Sequence, residues 1–215
     1  MFLAILRTQW SATRTLVLLA AIIAFGVPLA SFEAASGAET PFIFVQRMQE
    51  WGTAYAILAA IAGLLVGMAA WRQDQQGRHV YALSLPIARM RYTLFRFAAG
   101  GVFLAPVVAA VLIGASLVSL TGAIPNGLHA YPIALTVRFA LAAALAYAIF
   151  FAISSSTQKT AGIIMGLLVG VVFAQYLINV VGSNKFDLLG LLADFVFSRP
   201  GLLSVFAGRW MLIDV

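Results

Sequence analysis

WGTAYAILAAIAGLLVGMAAW, residues 51–71, decides the fold. It is an uninterrupted apolar stretch with a tryptophan at each edge, where an amphipathic ring sits best at a membrane surface. As a helix it rises about 31 Å, the thickness of a hydrocarbon core. Moving outward from it, similar stretches occupy 15–32, 97–120, 132–153 and 161–182. These predict a polytopic transmembrane helix bundle, all-α, in a single membrane domain covering 1–215, with five clear spans.

Composition points the same way. The chain has 215 residues, of which 63% are apolar and only 9% charged. A soluble domain is about a quarter charged and could not cover so much apolar surface. Thirteen Lys/Arg against seven Asp/Glu give a net charge of +6. In water that balance would suggest nucleic acid; in a membrane protein basic residues gather at cytoplasmic loops and meet anionic head groups. With no cysteine present, thiol catalysis, disulfides and cysteine-ligated metals are excluded.

The connections set the orientation. Residues 1–14 mix Leu3, Leu6 and Trp10, at helical spacing, with Arg7 and Arg14, as expected of an interfacial helix lying on the membrane. A cleaved signal peptide is the competing reading, since Ala34-Ala35-Ser36 resembles a processing site; the long basic lead and the further spans favour a retained helix. Pro28 and the acidic segment with Glu33 and Glu39 end the first span. With the N-terminus in the cytoplasm, the inner segments carry Arg7, Arg14, Arg72, Arg78, Arg89, Arg91, Arg96 and Lys159. The first two outer loops carry only Arg47. That asymmetry predicts an N-in topology. Residues 121–131 turn through Pro125-Asn126-Gly127, and Ser154 to Lys159 forms a tight polar turn.

Residues 183–215 are harder. The stretch 186–197 carries Asp187 and Asp194 and is followed by Pro200, which suits short helices at the outer surface. Residues 201–215 contain Arg209 and Asp214; they either belong with those outer helices or open a sixth span that is degenerate or cut short.

Within the spans, small residues recur every fourth position: Ala59, Gly63 and Gly67 on the second, Gly162, Gly166 and Gly170 on the fifth. Such stripes let backbones approach closely, either within one chain or at a subunit interface. Gln175 and Asn179 share a face further along and can hydrogen-bond between helices or line a path. Arg138 is the only full charge well inside a span, about 9 Å past Pro132. It is a candidate for a substrate path, or it snorkels outward or pairs with an outer carboxylate.

Catalytic constellations are absent from the sequence. The two histidines, His79 and His129, fall in loops on opposite sides, and neither lysine, Lys159 or Lys185, follows a glycine. A phosphate-cradling G-x-x-x-x-G-K-[ST] loop is therefore missing.

The segment WRQDQQGRHVYALSLPIARMRYTLFRF joins the second and third spans. Pro86 suits a first helical turn, so a helix is expected to start there and run into the third span. Residues 77–85 then form a separate short helix with an apolar ridge of Val80, Leu83 and Ile87 and a polar end of Arg78 and His79. Asp74, Gly77, Leu83, Leu85, Pro86, Ile87, Ala88 and Arg89 follow an order that resembles the type-2 permeases of ATP-binding-cassette transporters. There a polar cluster and a glycine precede a coupling helix, then Leu-Pro, an apolar and a small residue, and arginine. Two departures are Asp74-Gln75-Gln76 in place of a Glu-Arg pair and the lack of a convincing sixth span.

The resemblance implies the membrane half of an ATP-driven exporter in a bacterial or archaeal cytoplasmic membrane, paired with a second permease subunit, identical or not. It implies a separate cytoplasmic ATPase that binds ATP and Mg, leaving this chain without a cofactor or metal of its own. ATPase coupling would fall to Asp74, Gly77, Arg78, His79, Val80, Leu83, Leu85, Pro86, Ile87 and Arg89, with a lesser contact at Thr157 and Lys159. Two other classes fit the residues: a secondary transporter, which would place ionisable groups mid-membrane, and a membrane assembly subunit without transport.

Overall fold

A computed structural model describes residues 2–76, 89–156, 158–180 and 202–214. Among them are six helices: α1 (Phe2–Ser36), α2 (Pro41–Glu50), α3 (Gly52–Gln76), α4 (Arg89–Thr121), α5 (Pro132–Ser154) and α6 (Gln158–Val180). Four stretches, Thr13–Ser36, Pro41–Trp71, Met90–Thr121 and Pro132–Ser154, are long and apolar enough to cross a membrane; the apolar part of α6, Gly162–Gln175, is shorter. The protein is an all-α bundle of membrane-spanning helices. Its outward side chains match that solvent: Ile22, Leu18, Ile57, Ile133 and Leu141 are all more than half exposed. Lipid tails bury such groups without cost, whereas water would not.

The bundle is built from two parallel pairs. Along α1 and α4, Phe2 meets Phe95, Trp10 meets Phe103 and Phe32 meets Gly122, so these helices run side by side in one direction. Likewise α3 and α5 run together, Gly63 against Ala143 and Tyr147 and Gly67 against Phe151. The two pairs are antiparallel: Gln9 lies by Ala70, near one end, and Ser31 by Tyr55, near the other. One end of the bundle, here the basic end, gathers the start of α1, the end of α3 and the start of α4 with Arg7, Arg91 and Arg96.

Residues 1–14 do not form a helix apart, lying flat. α1 is continuous for 35 residues, about 52 Å, and its buried stripe runs unbroken through Gln9, Thr13, Val17, Ala20, Ala24, Pro28, Ser31 and Ala35. That spacing of three and four keeps one face toward the partner helices. The apolar residues read as a membrane-facing ridge instead belong to the same upright helix, held by Phe95 and Phe103. Pro28 does not end the helix either. The Ser31 hydroxyl donates to the Pro28 carbonyl at 2.8 Å, and α4 packs close by at Gly114, where a Cβ would meet the Phe25 carbonyl at 2.5 Å. Neighbouring helices and hydroxyls commonly let proline stand within a membrane span.

The C-terminal segment also departs from expectation. Within the described residues 202–214 there is no span-length helix. Leu202–Phe206 is a single 3₁₀ stretch, and β2 (Ile213–Asp214) pairs antiparallel with β1 (His129–Ala130), Asp214 opposite His129. Trp210, Leu212 and Ile213 are buried. The segment folds back as a cap over the end of α3 and α5 remote from the basic end. The turn through Gly127, at φ 90°, brings β1 into place, and the Leu128 N–H closes it on the Pro125 carbonyl at 3.2 Å. A positive φ suits glycine there.

Candidate functional site

The basic end is where charge enters the packed interior. Arg96, two turns into α4, is 6% exposed. Its Nη1 donates to the Ala70 carbonyl of α3, and its Nε donates to the Tyr92 hydroxyl at 2.8 Å. The guanidinium also lies 5.3 Å from the Trp71 ring centroid and 5.0 Å from that of Tyr92. Tyr92 and Arg96 are one turn apart on one helix face, so the helix itself supplies this pairing. A planar cation between two aromatic faces with its donors aimed at oxygens is well satisfied in a low-dielectric setting.

The same cluster extends to two more helices. The Gln9 side-chain amide of α1 reaches the Ala70 carbonyl at 3.4 Å. From α5, the Tyr147 hydroxyl donates to the Phe97 carbonyl at 2.8 Å, its ring stacks on Phe97 at 5.0 Å, and Phe151 packs edge-on against Phe97 and beside Trp71. Gly100 is what admits the Tyr147 ring, since a Cβ there would overlap it. The last turns of α3 and the first of α4 are thus locked together, with α1 and α5 tied in. These are the helices that lead into and out of residues 77–88.

At the far end a second arginine does something different. Arg138 donates from Nε to the Val205 carbonyl at 3.1 Å, and from its two terminal nitrogens to the carbonyls of Arg209 and Ala207. Its guanidinium lies 4.6 Å from the centroid of Trp210. Arg138 therefore fastens the C-terminal cap to α5 through backbone carbonyls. An anionic cargo would have to compete with that whole set. Gly52 completes the cap by letting the Trp210 backbone approach α3 closely, its oxygen 3.2 Å from where a Cβ would stand.

The two small-residue stripes have opposite fates. Ala59 is fully buried, and a Cβ at Gly63 would stand within 2.7 Å of Tyr147 N, Ala146 Cβ and Ala143 O. That stripe is filled by α5 of the same chain and is not free to form a subunit interface. Along α6, a Cβ at Gly162, Gly166 or Gly170 would meet nothing within 4 Å. Gln175 is buried; the side chain of Asn179 lies outside the described residues. An apolar groove of about 680 Å³ also runs between α3 and α5, lined by Ile57, Ala60, Ile149 and Phe150 and roofed by Phe206 of the cap.

Of the residues singled out for ATPase coupling, Asp74 lies in the last turns of α3 and Arg89 opens α4, while Lys159 is exposed in the first turn of α6. Gly77, Arg78, His79, Val80, Leu83, Leu85, Pro86, Ile87 and Thr157 fall outside the described residues. The turn before α6 is tight, with the Ser155 N–H on the Phe151 carbonyl at 2.9 Å and the Ser156 N–H on Ile153 at 3.2 Å. Sequence reasoning missed the Arg96 cluster. The signal was present in Tyr92 and Arg96 at i, i+4, opposite a tryptophan that ends the preceding span.

Compared with known proteins, the chain matches no family model, no curated protein and no solved structure.

Proposed function

We propose that this chain is the membrane-spanning permease subunit of an ATP-driven exporter, coupled to a separate ATPase through the loop between α3 and α4. The observation that carries the reading is the Arg96 cluster. The two helices bordering residues 77–88 are joined to each other, and to α1 and α5, about two turns from that segment. A push on the loop reaches four helices as one body. A loop on a loose hinge would dissipate it. Switching between inward- and outward-open states needs a partner that contacts the two states differently, and a rigid foot supplies the lever.

On this reading the chain itself binds no nucleotide. The partner holds ATP and Mg, residues 77–85 with Leu83 and Ile87 seat in it, and Thr157 and Lys159 make a lesser contact. The N-terminus and the basic end face the cytoplasm of a bacterial or archaeal cell. A second permease subunit completes the path, with the open glycine face of α6 as the surface it has available. The apolar spans and the groove between α3 and α5 favour an amphipathic, lipid-like cargo.

A transporter driven by an ion gradient would typically hold ionisable groups along its path. Here the two arginines within or at the edge of the spans, Arg96 and Arg138, are both engaged by backbone carbonyls. The test is the double variant Leu83→Asp, Ile87→Asp, expressed in native membranes. It should insert normally yet lose co-purification with an ATP-hydrolysing subunit. Equal co-purification by the variant and the parent would remove the coupling assignment.

A further inference from the structure

Between the first turns of α1 and the middle of α4 lies a groove of about 820 Å³, in the size range of ligand sites. Leu3, Val102, Phe103 and Pro106 line it with apolar surface, and Arg7 stands on its rim. Its wall is fixed by the Trp10 ring packed on Phe103 at 5.6 Å. Leu3, Arg7 and Trp10 recur at four and three residues, so they share one face of α1. Leu3 is 75% exposed and Val102 49%.

Charge decides what the groove takes. α4 contains no acidic residue, and along α1 the first is Glu33, some 26 residues beyond Arg7. These helices run in one direction, which brings Arg7, Arg91 and Arg96 to the same end of the bundle. Arg96 is engaged with Ala70 and Tyr92, but Arg7 has no hydrogen-bonding or ionic partner among the described residues. A cation at the rim of an apolar slot, with no carboxylate on the stretches of the two helices that form it, complements a molecule with an anionic head and hydrocarbon tails.

We infer that this groove is a binding site for one anionic glycerophospholipid of the leaflet on the basic side, its phosphate on Arg7 and an acyl chain along Val102, Phe103 and Pro106. Zwitterionic lipid presents the same tails but no net charge, so discrimination rests on the head group. Bound there, the lipid bridges α1 and α4 on their outer side.

Native mass spectrometry of the full chain titrated with phosphatidylglycerol, and separately with phosphatidylcholine of the same acyl chains, tests this. The parent should retain phosphatidylglycerol preferentially. Arg7→Gln should weaken that binding about fivefold, the factor one interfacial cation supplies, and bring it to the phosphatidylcholine level. Val102→Trp, which fills the slot, should weaken both lipids. Leu3→Gln, at an exposed position, serves the same purpose should the tryptophan variant not fold. Arg47→Gln, at the other end of the bundle, should change neither. Equal binding of the two lipids by the parent, or an undiminished preference in Arg7→Gln, would overturn the site. Loss with Arg7→Gln but unchanged binding in a folded slot variant would overturn the groove as the tail's seat.

Discussion

Two stripes of small residues, written almost alike, end up in opposite situations. Ala59, Gly63 and Gly67 on α3 are pressed against the backbone of α5, while Gly162, Gly166 and Gly170 on α6 have no neighbour among the described residues where a Cβ would stand. Spacing alone states only that a helix can be approached closely. Whether something approaches depends on what the neighbouring helix offers. α5 presents Ala143 and Ala146 at the level of Gly63, so two smooth faces meet and dispersion contacts accumulate. α6 follows α5 through a tight turn. Among the described residues, nothing covers its glycine face.

The sharpest way to break this contrast is to add the same side chain to each stripe. Gly63→Leu forces branched carbon into a gap already filled by Tyr147 N and Ala143 O. Overpacking costs about 1–3 kcal/mol even where side chains can yield, and more against backbone. The variant should lose its monodisperse peak in size-exclusion chromatography. Next is Arg96→Gln, which removes the cation between Trp71 and Tyr92 and leaves the α3–α4 junction short of its charged donor. A loss of about 2–3 kcal/mol is expected, read as a lower thermal midpoint in detergent, with Arg96→Lys recovering only part of it. A smaller effect should follow Arg138→Gln, about 1–2 kcal/mol on the same grounds. It should be confined to the cap, so that limited proteolysis cuts within residues 202–214 while the bundle's thermal midpoint stays near that of the parent. The smallest effect belongs to Gly166→Leu, within about 0.5 kcal/mol for the isolated protomer, as for sites that touch nothing. Should Gly166→Leu instead destabilise the monomer as severely as Gly63→Leu, the contrast between the stripes would be lost.

Much of the architecture is legible because a bilayer leaves a chain few choices. Every backbone polar group must be satisfied within the segment, so long apolar runs such as 132–153 read directly as helices, and α5 (Pro132–Ser154) matches that run almost residue for residue. The start of α1 was less legible. Arg7 and Trp10 mark a membrane surface in composition, but the partner that holds them upright, Phe95 and Phe103 of α4, lies some 90 residues away. The C-terminal segment misled for a related reason. Gly201 to Val215 is apolar enough to begin a span; what turns it into a cap is the Arg138 fork and a strand pairing with His129–Ala130, both long-range. Arg138 itself was visible as an anomaly, and only its partners were not.

The proposed function requires that the chain cross a bilayer with residues 72–96 on the cytoplasmic side and residues 121–131 on the opposite face. The absence of cysteine makes the direct test simple, since a single introduced thiol is the only one present. His79→Cys and His129→Cys, each expressed in intact cells, are treated with a membrane-impermeant maleimide. Labelling of the His129→Cys protein from outside, with His79→Cys reacting only after the cells are opened, is the predicted result. External labelling of His79→Cys in sealed cells would contradict it.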